Sequence, residues 1–94
     1  MRKKEEQKVD YLRKDEINIL IKNNEEIKEG YEFFKKSYSR YPIIDMYAST
    51  HMWKPIVEVT IKFMYGDNIY YYKYYHEYGE EPIIKLKRAS AFDR

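Results

Sequence analysis

Between Pro55 and Tyr78 the chain alternates apolar and polar side chains, breaks at Gly66-Asp67-Asn68 and resumes in a run of tyrosines. Val57, Val59, Ile61, Phe63 and Tyr65 interleave with Glu58, Thr60, Lys62 and Met64, the period of two that puts successive side chains on opposite faces of a strand. Gly66 and Asp67 suit a tight turn, and the residues from Ile69 to Tyr78 are aromatic and β-forming. The segment therefore predicts an antiparallel hairpin, to which the rest of the fold must conform.

The hairpin's register follows from which side chains share a face. A two- or four-residue loop pairs odd positions with even ones, which sets Val57, Val59, Ile61 and Phe63 beside Tyr70, Tyr72, Tyr74 and His76. A three-residue loop would instead bring Lys73 and Glu77 onto the apolar face, so the first register is expected. Past Gly79-Glu80-Glu81, Ile84 and Leu86 continue the core face, with Lys85 and Lys87 on the other. A three-stranded antiparallel meander results.

One face of that meander needs a cover, and residues 15–41 supply one. Ile17, Leu20, Ile21, Ile27, Tyr31, Phe34, Tyr38 and Tyr41 recur at the three-and-four spacing of a helical face, with Asn24 as the one polar residue on the stripe. Asp15 and Glu16 favour a helix start, Lys35, Lys36 and Arg40 a helix end, and Pro42 a stop. Gly30 allows either one helix or two separated by a glycine cap. Residues 43–48 alternate as an edge strand would, with a helical turn as the competing reading, and Trp53 at the start of the hairpin reads as a core anchor.

The expected fold is α+β: an amphipathic helix, or two, packed on one face of a C-terminal three-stranded antiparallel meander, with a fourth edge strand near 43–48. All 94 residues read as one domain. Residues 1–14 read as a fraying helical N-terminus, and residues 89–94 as a flexible basic tail in which Phe92 could anchor a contact.

Composition narrows the function classes. Cysteine is absent, which removes disulfides, zinc-thiolate centres and thiol catalysis. The longest apolar run, Ile19 to Ile21, falls far short of the roughly 20 residues that span a bilayer. Glu5, Glu6 and Asp10 follow the basic start where an export signal needs apolar residues, so the expected location is cytoplasmic and no membrane partner is expected. The three glycines fall at caps or turns, leaving no phosphate-cradling loop. His51 and His76 are the only histidines and lack the spacing of a helical metal pair; any of the 16 carboxylates can be matched to either, so such pairings carry no information. Neither a catalytic group, a cofactor nor a metal is expected.

What remains is binding. The non-core face should carry Tyr71, Tyr75 and Met64 with Lys62, Lys73, Lys85 and Lys87. Tyrosine gives rigid amphipathic contact area at small entropic cost, which suits a protein interface. A partner protein or a homodimer is the first expectation, in a small accessory or inhibitor-type protein. The abundance of lysine, isoleucine and tyrosine fits the AT-rich coding of a virus or mobile element. The alternative is nucleic acid, with the aromatic rings stacking bases while Lys62, Lys73, Lys85, Lys87 and Arg88 meet phosphates. Against both stands the plain reading that these lysines form a solvated face that discourages strand pairing.

Overall fold

The computed structural model describes residues 10–49 and 55–89, which form two helices followed by a four-stranded antiparallel sheet. Helix α1 spans Lys14–Asn23 and α2 spans Glu25–Tyr38; the strands are β1 (Ile43–Ser49), β2 (Ile56–Tyr65), β3 (Asn68–Glu77) and β4 (Ile83–Arg88). They lie side by side in the order β1-β2-β3-β4, so the meander has its fourth edge strand. Residues 10–13 carry no regular secondary structure. The readings placed on residues 1–9, on His51 and Trp53, and on Phe92 in the tail lie outside the described residues.

The helix break falls at Asn24, not at Gly30. Asn24 adopts an extended conformation (φ −144°, ψ 109°) that ends α1, and its side-chain oxygen accepts from the N–H groups of Glu26 (2.9 Å) and Ile27 (3.0 Å) to begin α2. This satisfies two of the four N–H groups that a helix start leaves without partners. The polar interruption of the apolar stripe was thus the cap between two helices. At the start of α1, Glu16 reaches back to accept from the Arg13 N–H at 2.8 Å.

Gly30 has a different task from capping. It is buried in the middle of α2, where a Cβ would lie 2.7 Å from both Cβ and Cγ1 of Val59. The missing side chain lets the helix backbone rest directly on β2. That close approach also seats Phe34 against Phe63 and Tyr72, each edge-on with ring centroids 5.1 Å apart. Ile27, Phe34, Ile43, Met46, Val59, Ile61, Phe63, Tyr72 and Tyr74 make up the buried core.

The β2–β3 register is the expected one. Val57, Val59, Ile61 and Phe63 pair with His76, Tyr74, Tyr72 and Tyr70, and a two-residue turn closes the hairpin between Tyr65 and Asn68. Gly66 supplies the positive φ (63°) that such a turn demands. Strand β1 departs from simple alternation, because the register shifts between Ile43 and Asp45. That irregularity turns Ile43 inward together with Met46, three positions on, which a strict period of two would not do.

Strand β4 departs further. Ile84 and Leu86 pair with Tyr74 and Tyr72 and so take the helix-side face, as expected, but they are 42% and 45% exposed and do not join the core. The reason is width: α2 packs on β1 and β2 and reaches the β3 tyrosines, and the sheet extends one strand beyond it.

Candidate partner-binding face

The face of the sheet turned away from the helices is built in cross-strand rows by the three registers. Asp45, Lys62, Tyr71 and Lys87 form one row; Tyr47, Thr60, Lys73 and Lys85 form the next; Ser49, Glu58, Tyr75 and Ile83 form the third. Met64 and Ile69 pair beyond the first row, and Ile56 with Glu77 beyond the third. Among the described residues no helix or loop is laid across this face, but Thr60 at its centre is 1% exposed and so shut from solvent. Of residues 43–54, the other candidate cover for this face, 43–49 extend the sheet as β1 and 50–54 lie outside the described residues.

Seven residues named from the sequence come together here: Tyr71, Tyr75, Met64, Lys62, Lys73, Lys85 and Lys87. The first five are half-buried by their neighbours, while Lys85 and Lys87 on the edge strand are exposed. The Lys62 ammonium stands 5.9 Å from the centre of the Tyr71 ring, and Lys85 the same distance from Tyr75. At that range each cation is held near a ring face with a modest gain. Arg88 does not belong to this group. It pairs with Tyr70 on the helix-side face and donates to the Asn68 side chain at 3.2 Å. The parity of β4 forbids it the company of Lys85 and Lys87, so the basic set proposed for nucleic acid loses that member.

The fold adds two features to the face. Tyr47, 43% exposed, joins it through β1, a strand whose register needed the fold to define it. Charge is also segregated along the strands. Four lysines and Asp45 occupy the first two rows, whereas Glu58 lies in the third and Glu77 beyond it. Past that end, Ile56, Tyr75 and Ile83 floor a shallow depression of about 500 Å³ whose other walls are Glu77, Glu80 and Glu81.

On the opposite side, a polar cluster ties helix to sheet. One carboxylate oxygen of Glu29 accepts from the Tyr74 hydroxyl (2.5 Å) and lies 2.6 Å from His76 Nδ1. His76 thus ends the aromatic row on the core face with a hydrogen-bonded ring, as the register predicted. Burial raises the Tyr74 hydroxyl's pKa, and the adjoining Glu29 reinforces the effect by hydrogen bond and charge. Tyr72 is pushed up to about 12, chiefly by burial and secondarily by Tyr38. Among the described residues no group of three or more histidine, aspartate or glutamate side chains converges as a metal site. No described helix is long and apolar enough to cross a membrane.

Comparison of the chain with protein-family models, curated proteins and solved structures finds no match.

Proposed function

We propose that this chain is a small non-enzymatic accessory or inhibitor-type protein that works by binding another protein through the sheet face turned away from the helices. Tyr71, Tyr75 and Met64 supply the apolar contact, and Lys62, Lys73, Lys85 and Lys87 flank it. The observation that carries this reading is the uneven charge of the face, with four lysines and a single acid, Asp45, at one end and Glu58, Glu77, Glu80 and Glu81 at the other. A phosphate backbone laid across the full face meets repulsion at the acidic end, whereas a protein surface can present both signs. Tyrosine hydroxyls and lysine stems bury apolar area while keeping their polar ends wet, which suits a contact that forms and dissolves.

Nucleic-acid binding is the second reading, and the Lys62–Tyr71 and Lys85–Tyr75 adjacencies favour it, because base stacking needs rings beside cations. The two readings separate in one pair of measurements. Cross-linking in an extract of cells that express the chain should capture a protein with the wild type and lose it with Tyr71→Ala/Tyr75→Ala, whose circular dichroism stays unchanged. Tight binding of a short single-stranded oligonucleotide at low salt, falling steeply as salt rises, would transfer the proposal to nucleic acid.

A further inference from the structure

We infer that β4 is a homodimerisation edge, and that two copies pair through it into one eight-stranded antiparallel sheet. The two edges of the four-stranded sheet differ. At β1 the chain meets the start of its own edge, where the Leu12 N–H donates to the Ile43 carbonyl at 2.8 Å. At β4 no described residue does the same. The Ala89 N–H bonds to the Ile69 carbonyl, so by the alternation of an antiparallel ladder the odd-numbered residues of β4 bond to β3 and the even-numbered ones turn their N–H and C=O groups outward. Ile84 and Leu86 therefore offer both outward backbone groups, unpaired among the described residues, and exposed apolar side chains. Unpaired strand edges of this kind recruit another strand.

Charge selects the occupant and the register. The chain entering β4 is acidic, Glu80-Glu81, and its far end is basic, Lys85, Lys87 and Arg88. A basic strand preceded by an acidic approach complements its own antiparallel copy where the two overlap. A register centred on Lys85 would set that ammonium against itself, and one centred on Leu86 would set Lys85 against Lys87. Centring on Ile84 avoids both: Ile84 meets Ile84 of the second copy, Lys85 meets Ile83, Leu86 meets Pro82, which has no N–H to offer, and Lys87 comes opposite Glu81 just before the strand. The edge lysines, which read alone as a guard against pairing, reject the wrong registers and permit this one.

The symmetry then accounts for the uncovered apolar side chains. A two-fold axis through an antiparallel strand pair stands perpendicular to the sheet, so both helix layers fall on one side. Ile84 and Leu86 of both copies fill the gap between those layers, where α2 does not reach. The two outer faces merge into one surface, and a partner with two sites would gain avidity from it.

This inference builds on the proposed face but is tested apart from it. Sedimentation equilibrium of the full chain should show a reversible dimer. Ile84→Pro removes an outward N–H without touching the β3–β4 ladder, and it should leave the chain folded and monomeric. Lys87→Glu should raise the dimer dissociation constant about tenfold, through two symmetric contacts made repulsive, and adding Glu81→Lys should restore it. Tyr71→Ala/Tyr75→Ala should leave the dimer intact while abolishing partner capture. A strict monomer at millimolar concentration overturns the inference. So does a dimer indifferent to Ile84→Pro and Lys87→Glu, or one dissolved by the tyrosine substitutions.

Discussion

Replacing Gly30 with alanine sets two effects of known sign against each other. In an exposed helix the change stabilises by about 0.5–1 kcal/mol, because glycine loses more backbone freedom on folding. Here the new methyl would lie 2.7 Å from Cβ and Cγ1 of Val59 and 3.1 Å from Cγ2. Carbon atoms pack best about 3.5–4.0 Å apart, so one partner must retreat by about 1 Å. Val59 cannot, because it is fully buried and held in the ladder between Ala48 and Tyr74. The helix must lift instead, which loosens Phe34 from Phe63 and Tyr72. Overpacking costs about 1–3 kcal/mol, and contacts as short as 2.7 Å against a side chain that cannot move put this site at about 2–3 kcal/mol, leaving a net loss of about 1–2 kcal/mol. For a domain of this size that lowers Tm by about 5–15 °C. Thermal unfolding followed by circular dichroism reads it directly. In a Val59→Ala background the cost should shrink by about 0.5–1 kcal/mol, since two of the three close carbons are gone. A Gly30→Ala variant as stable as wild type, or more so, would refute the reasoning that glycine is there for contact.

Asn24→Ala removes the acceptor for two N–H groups and should cost about 1 kcal/mol in urea unfolding, whereas Asn24→Asp should cost little. Tyr74→Phe strips a buried hydroxyl from a carboxylate and should cost about 1.5–3 kcal/mol by the same measurement, with the aromatic packing on Phe33 retained. Alkaline stability follows from Tyr72 and Tyr74. Both hold their protons more tightly folded than unfolded, so their contribution is complete below the ordinary tyrosine value of about 10 and is lost as pH rises toward the folded values, about 12 for Tyr72. Ultraviolet titration should show these two phenols ionising together with unfolding above about pH 10, and ionisation of all the tyrosines before any loss of structure would contradict it.

How much could be read in advance depended on the range of the interaction responsible. The hairpin register was legible because period-two alternation and a two-residue turn act between neighbours in the chain, and a slip of one residue would have buried Lys73 and Glu77. Asn24 was legible as an anomaly: a lone polar residue on an apolar stripe must either break the helix or find a partner. The role of Gly30 was not legible, since a helix-interior glycine and a glycine cap look alike until Val59 is placed beneath it. Nor was the irregularity near Ile43, because which of Ile43 and Ile44 turns inward depends on how β1 meets Phe63 and Lys62. The Glu29–Tyr74–His76 cluster joins residues more than forty positions apart, and any of many carboxylates would have matched as well on paper.

Local chemistry therefore determined that this chain pairs a helical stripe with a tyrosine-rich hairpin, and which tyrosines face the core. Tertiary structure alone decided the extent of cover. Helix α2 is held over β1 and β2 by the Gly30–Val59 contact and reaches no further than the β3 tyrosines. Ile84 and Leu86 alternate like core residues yet stand in the open, because alternation assigns a side chain to a face but cannot say whether anything lies across from it.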